Sequence, residues 1–472
     1  MRFDVRGFGA KGDGETLDTD AIRAAIAAAG PGDMVVFDKG HYLSFSIELK
    51  SHLHLVFEED CVLEAADPKR HDGHYAAAED NPFDLYQDFG HSHWRNSLIY
   101  GVDVEDVTLS GPGRIDGRGL TREGPGSRWR KQAGEFPESM RGMSIEEMAV
   151  LSPHEAEMAG QGNKAIAFCR ASSVTIRDLS IVNGGHFAVL ATGVDDLLLE
   201  NLNIDSNRDG IDIDGCRRVI VRGCRVNTPN DDAIVLKSSF ALGERRPCED
   251  VLIEDCAVSG FDPGTMIDGT RGRTQMFSPD RDRVTGRIKI GTESSGDFRR
   301  IKINRCLFER SRGLALETVD GGVIEDVEAA NLSLREVTTA PLFLRLGARL
   351  RAPEGAVPGA IRRVVIRDMM AEDILPDYSA LIVGMEGHPI EDVTLERVRL
   401  TYRGGGAALD ASPPEKDDAY PEPSMFGRTL AWGLWTRHVR GLTLKDVALS
   451  AQTSDARPRT LFEDTTLHES GA

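Results

Sequence analysis

Leu197-Leu198-Leu199-Glu200-Asn201-Leu202-Asn203-Ile204-Asp205 is followed, 22 positions on, by Val219-Ile220-Val221-Arg222-Gly223-Cys224-Arg225-Val226-Asn227. Apolar residues alternate with polar ones in both stretches, which is the period of a strand and not of a helix. The same apolar-x-apolar signature recurs at Val107, Val174, Val251, Ile301, Val364, Val393 and Leu442. From Val174 to Leu197 is 23 positions, so the repeat runs at 22 to 23 residues, a solenoid period. Gly, Asn and Asp turns separate the short strands, and Leu-x-x-Leu-x-Leu repeats with a recurring Asn are not a regular feature. The pattern predicts an all-β chain folded as a right-handed parallel β-helix, the hand following from the crossover rule.

Such a solenoid accommodates 472 residues in one domain, because each coil contacts only its neighbours. We expect a single β-helix domain over 1–472, with an N-terminal cap at about 1–35. Within the cap, Asp20 to Ala29 reads as a helix, started by Asp18 or Thr19 and ended by Gly30-Pro31. It would shield the open end of the solenoid. A groove-lining insertion is expected over about 68–162. It contains His91-Ser92-His93-Trp94, read as groove or surface histidines and not as a metal site. Two short helices are expected at the capping-box pairs Ser144/Glu147 and Ser152/Glu155, with Pro153 ending the first.

Composition limits the partners. A net charge of −20 argues against nucleic acid, but not against a polysaccharide bound in a groove. No apolar run is long enough for a membrane span. The N-terminus, as written, does not read as a signal peptide, so the expected location is the cytoplasm, or the periplasm or exterior if a leader was removed. Three of the seven cysteines, Cys224, Cys256 and Cys306, stand five residues after Val219, Val251 and Ile301, and should stack inward as small apolar groups. No metal-ligand spacing is present, and no cofactor or metal is expected.

The chemistry concentrates in Asn207-Arg208-Asp209-Gly210 and Asn230-Asp231-Asp232-Ala233. Asp209 and Asp231 are 22 positions apart, the same offset as Leu197 and Val219, so they should meet on successive coils about 4.8 Å apart. His186 is 23 positions before Asp209, which extends that column to His186, Asp209 and Asp231. Carboxyls this close raise one another's pKa and can divide acid and base roles. Glycoside cleavage with inversion calls for two carboxyls roughly 6.5 to 9.5 Å apart. Lys237, Arg287 and Lys289 are the candidates for a local basic patch.

The chain resembles glycoside hydrolase family 28, the polygalacturonases and their relatives. The resemblance rests on Phe8-Gly9-Ala10-Lys11-Gly12-Asp13-Gly14, Gly113-Arg114-Ile115-Asp116-Gly117, Asn207-Arg208-Asp209, Asp231-Asp232 and Lys237. It implies Asp231 as general acid, Asp209 and Asp232 as activators of water, and Asn207, Lys237 and Glu293 (of Gly291-Thr292-Glu293) as part of the substrate site. Against the family pattern, Gly286 stands where a histidine is expected, for which His186 is a candidate replacement. Ala315 and Glu317 stand where an arginine and a lysine are expected to hold a substrate carboxylate. Two like charges at 4 Å repel by about 4 kcal/mol at an effective dielectric near 20. Glu317 therefore implies a sugar other than an ordinary galacturonate, or a cation such as Arg287 or Lys289 in compensation. The expected activity is inverting hydrolysis of a pectic or related acidic poly- or oligosaccharide, exo-acting. The alternatives are a rhamnogalacturonan or rhamnoside hydrolase, a Ca²⁺-dependent lyase and a non-catalytic glycan-binding solenoid.

Overall fold

The computed structural model describes residues 1–121, 138–144, 158–409 and 411–468. Strand stacks on strand in parallel register to make a right-handed parallel β-helix of three faces. The apolar residues read from the sequence form one continuous ladder. Val107 pairs with Val174, then Leu197, Val219, Val251, Ile301, Val327, Val364 and Val393 follow in turn. Each is at most 2% exposed, and burial of such a side chain contributes about 1.5–3 kcal/mol. Val327 is the rung the sequence pattern had not singled out.

One residue before each of these rungs the backbone turns left-handed, for example at Asp196, Arg218, Asp250, Arg300, Asp326 and Arg363. Asp tolerates this region better than most residues; Arg does not. The long side chains repay the position by pairing along the surface: Arg218 with Asp196, Arg300 with Asp250, Arg363 with Asp326. The cysteines lie inside, free and buried, with Cys224, Cys256 and Cys306 on successive coils.

The helix spans Thr19–Ala28 and buries Ile22, Ala25 and Ile26 against the first coils. Asp18 holds the N-cap position but makes no capping bond. Its carboxylate accepts from the backbone N–H of Lys11 and Gly12 instead, tying the opening loop to the helix start. The region 68–162 is not one insertion. A whole coil, Ser97–Val102, Glu105–Ser110 and Arg114–Asp116, runs through its middle. The pairs Ser144/Glu147 and Ser152/Glu155 lie at or outside the limits of the described residues, as does Pro153.

The face that matters for function carries the strands Lys164–Cys169, Phe187–Thr192, Asp209–Asp214, Ile234–Ser238, Ile288–Ser294 and Leu314–Thr318. They are buried on both sides, by the core within and by loops without, as parallel strands usually are.

Candidate active site

Asp209, Asp231 and Asp232 converge at the mouth of this face, each presenting an oxygen within 4.8 Å of the other two. The register that assembles them differs from the one expected. Phe187 pairs with Asp209, an offset of 22, and Ile211 pairs with Ile234, an offset of 23. The columns are thus His186–Arg208–Asp231 and Phe187–Asp209–Asp232, not His186–Asp209–Asp231. The 22- and 23-residue coils were assigned correctly, but the extra residue is absorbed in a turn on the other side of the strand. Gly210 lets the coils close here: a Cβ would lie 2.5 Å from the Ala233 carbonyl oxygen.

Arg208 consequently stands between His186 and Asp231. Its Nε donates to Asp231 Oδ2 at 2.9 Å, and its Nη1 lies 3.0 Å from His186 Nδ1. His186 reaches the acids through Arg208, and its ring packs on Phe187. Asp231 keeps 29% of its side chain exposed, whereas Asp209 and Asp232 keep 4% and 5%. Burial, and then the charge of Asp231, push the Asp209 carboxyl well above the usual carboxylate range. Burial would also raise Asp232, but Arg287 and Lys289 outweigh it and hold that carboxyl well below its ordinary value. The trio is therefore polarised: Asp232 is firmly ionised, and Asp209 favours keeping a proton. The Asp209 Oδ1 and Asn207 Oδ1 atoms have no hydrogen-bond partner in the structure. Asn207 is anchored by its carbonyl, which accepts from Asn230 Nδ2 at 2.9 Å.

The basic patch is present but internally consumed. Arg287 is 2% exposed; its Nε donates to Asp232 at 2.6 Å, and its two terminal nitrogens grip Glu422 at 3.0 and 2.6 Å. Lys289, equally buried, lies 3.1 Å from Asp232, 3.6 Å from Glu317 and 3.3 Å from the Tyr420 hydroxyl. Both cations are thus already paired with carboxylates of the chain. Lys237 is also enclosed, 3.1 Å from Asp212, 3.3 Å from Glu293 and 2.7 Å from His91 Nε2. Burial and the Lys237 charge keep His91 neutral, well below the ordinary imidazole value. Glu293 is held on its other side by Arg351 at 2.5 Å. Neither Lys237 nor Glu293 faces open solvent; they brace the strand behind the acids.

Glu317 is fully buried, accepting from Thr292 Oγ1 at 3.1 Å. Burial pushes its carboxyl up to about 7, with Lys289 offsetting part of the rise. A carboxyl raised on folding from about 4.3 favours the folded state below that value, and the gain is lost as pH rises through about 7. Glu317→Gln is neutral throughout. Its stability relative to the wild type should rise by on the order of 3 kcal/mol from pH 4 to pH 8. Chemical denaturation at the two pH values measures this, and a pH-independent difference would contradict it.

Loops from three distant segments wall the acids in. Residues 81–94 cross the face, with Trp94 Nε1 donating to Thr192 Oγ1 and Asn81 Nδ2 to the Ala241 carbonyl. Asp88 takes Arg351 Nη1 at 2.6 Å, joining this loop to the one at 347–355. Glu138 and Ser139 donate their backbone N–H groups to Ala352 and Leu350. The segment 412–426 folds back to bring in Asp417, Tyr420 and Glu422. Arg208, His91, Tyr420, Glu422 and Arg351 are site residues that the sequence reading did not assign. Two had a signal: Arg208 stands in the middle of the quoted motif, and His91 reads as a groove or surface histidine. The carboxyl spacing of an inverting pair, roughly 6.5 to 9.5 Å, is also not what the nearest oxygens show.

Comparison with known proteins agrees with this fold. Residues 154–272 match the family described as "Right handed beta helix region", and residues 2–63 match "Rhamnogalacturonase A/epimerase, pectate lyase-like". A probable polygalacturonase of Vitis vinifera is 22% identical over 414 residues, covering 83% of this chain and 73% of that protein. The chain is thus similar, at low identity, to polygalacturonases. The family 28 exopolygalacturonase of Yersinia enterocolitica superposes with a TM-score of 0.69 at 16% identity, covering 100% of this chain and 79% of that one. A hyperthermoactive exopolygalacturonase of Thermotoga maritima gives 0.64 at 19% identity, covering 95% and 92%. Both share the fold.

Two departures of this polygalacturonase-like chain now have structural reasons. Gly286 has φ +49°, and a Cβ there would lie 2.1 Å from the Ser259 carbonyl oxygen, so no histidine fits the position. Its backbone N–H instead donates to the Asp231 carbonyl at 3.1 Å, fixing the turn that carries the acid. Ala315, which pairs with Lys289, is small and packed in an apolar cluster with Phe343 and Trp435.

Proposed function

We propose that the protein is an exo-acting hydrolase of pectic oligosaccharides, with Asp231 as acid and Asp232 as base. That it is a glycoside hydrolase acting on O-glycosidic bonds follows from its polygalacturonase relatives. The observation that carries the finer reading is the polarised trio. Asp231 is the member with an exposed side chain, so it is placed to meet the glycosidic oxygen, whereas Asp209 beside it is enclosed. Asp232, ionised by Arg287 and Lys289, takes the proton of a water that the unpartnered Asp209 oxygen helps to hold. Inversion is the outcome of that single displacement. That outcome requires the water to attack the anomeric carbon from the face opposite the departing oxygen, so the sugar must be seated with its scissile bond between Asp231 and the water.

The loops support exo action. The bridges from Asp88 to Arg351, from 138–139 to 350–352 and from Glu422 to Arg287 tie the loops around the acids to one another, which suits a chain end better than the open trough an endo enzyme needs. The ion pairs weigh against a Ca²⁺-dependent lyase, since Arg208, Arg287 and Lys289 already occupy the carboxylates that would ligate the ion. Anomer-resolved NMR of pectic oligosaccharide digests tests the proposal. A monosaccharide of inverted configuration is expected as the first product, with little loss of polymer viscosity. Retained configuration sinks the water-base role of Asp232, a ladder of oligomers sinks exo action, and a chelator-sensitive unsaturated product sinks hydrolysis.

A further inference from the structure

We propose that Phe277 is a stacking platform for the leaving-group portion of the substrate, seating a sugar ring beyond Asp231 and so favouring long oligosaccharides over short ones. This rests on the hydrolase reading above. An exo enzyme encloses one terminal sugar, so the rest of the chain lies on the side of the acid.

Phe277 belongs to an excursion over 260–287, between the strands Ala257–Ser259 and Ile288–Ser294. The excursion folds back onto the turn that carries the acid. Ser278 Oγ donates to the Pro229 carbonyl at 2.7 Å, and the Thr285 backbone N–H donates to the same carbonyl at 3.0 Å. Gln275 Nε2 donates to Asn230 Oδ1, beside Asp231, and to the Phe277 carbonyl at 3.0 Å. Asn230 in turn donates to the Asn207 carbonyl. Asn207, Asn230, Gln275 and Phe277 thus form one wall, on the side where the chain enters the acid-bearing coils. Asp231 adjoins this wall, whereas Asp232 meets Arg287 and, through it, Glu422. The wall is therefore the leaving-group side of the site.

The ring is exposed but not loose. It is 58% exposed, and the Arg283 guanidinium lies 5.2 Å from its centroid. Phe277 and Arg283 also pair as an antiparallel bridge. Arg312, itself buried, holds this hairpin from beneath, donating to the Arg283 carbonyl and to Asp280 Oδ1, both at 2.9 Å. The Asp262 carboxylate fixes the approach to it, accepting from the backbone N–H of Thr274 and of Gln275 at 2.8 Å each. A guanidinium against one face of a ring orients it and leaves the opposite face for the C–H side of a sugar. A ring held in place beforehand also loses little side-chain freedom on binding. The exposed neighbour Met276 extends the apolar surface. Two side chains do not supply the roughly 800 Å² per partner of a stable protein interface, so a sugar is the occupant that fits.

The test uses the full chain with homogalacturonan and rhamnogalacturonan oligosaccharides of two and six residues. In the series that is cleaved, the wild-type KM should be about tenfold lower for the six-residue member. Phe277→Ala should bring the two KM values within about twofold of each other, and Phe277→Trp should keep them apart. Calorimetry on Asp231→Asn, with and without Phe277→Ala, should show the same difference as binding alone. A length preference that survives Phe277→Ala, a loss equal for both lengths, or no preference in the wild type overturns the platform and leaves the hydrolase reading intact. Length-dependent binding through Phe277 with no sugar release by the wild type overturns the hydrolase reading and keeps the platform. Absence of both binding and cleavage in the two series overturns both.

Discussion

Asp231→Asn is expected to lower kcat by about 10³-fold, within the usual range for loss of a general acid, while leaving the fold intact. The fold should survive because Asp231 lies on the rim, with 29% of its side chain exposed, and because its Oδ1 can still accept the Asp232 N–H that it accepts now at 3.0 Å. Arg208 loses a charged partner, a modest cost at this exposure. The effect on the neighbours is specific. The Asp231 charge is the second cause of the raised Asp209 pKa, so without it the Asp209 carboxyl moves down, though burial still holds it high. In the wild type, activity should fall as pH rises through the raised Asp209 pKa, because ionisation of that buried carboxyl places a new charge among the acids. In the variant this basic limb should move to lower pH with the Asp209 carboxyl. Steady-state kinetics on the preferred oligosaccharide from pH 4 to 9, with thermal melts in parallel, measure both. A kcat within tenfold of the wild type, from a protein that melts normally, would remove Asp231 from the role of acid.

The sequence makes the ladder of Val107, Val174, Leu197 and their successors plain because a half-buried strand writes its own pattern: alternate apolar residues, a turn, and repetition at nearly constant spacing. The three acids are equally plain, since they follow a strand by a fixed count and two of them are adjacent. Register is less accessible. A coil of 23 residues has one more residue than a coil of 22, but counting cannot tell which turn holds it. That single ambiguity moves Arg208 into the column where Asp209 was expected. The charges of the site are hidden for a different reason. Arg287 and Lys289 read as a substrate-binding patch because nothing local shows what neutralises them. Glu422 and Tyr420 stand about 130 positions later, in a segment without repeats, and only the folded chain brings them over the groove. The loop from 81 to 94 is a similar case: His91 reads as a groove or surface histidine, and only the folded chain shows it buried against Lys237.

That dependence of the site on a distant loop makes Arg287→Met the substitution with the largest expected cost to stability, about 3–5 kcal/mol. Arg287 is buried and bridges two buried carboxylates from different parts of the chain, so its loss strands both. Arg312, 3.2 Å from Glu422, and Lys289, 3.1 Å from Asp232, compensate only in part. The pH behaviour gives the second reading. A carboxyl held below its unfolded value contributes stability above about pH 3.9, and the contribution is lost as pH falls through the folded pKa. Without Arg287 the Asp232 pKa rises toward the ordinary range, so the loss of stability begins at a higher pH. The acid limb of activity moves up with it, because the base is protonated sooner. Arg287→Lys should lie between the two, keeping the charge but not the two-nitrogen grip on Glu422. The double variant Arg287→Met/Glu422→Gln should regain part of the lost stability but none of the shift in the acid limb, since Glu422 anchors the loop whereas Asp232 carries the chemistry. A single variant that loses less than about 1 kcal/mol and keeps its acid limb would mean that Asp232 is held ionised by Lys289 alone.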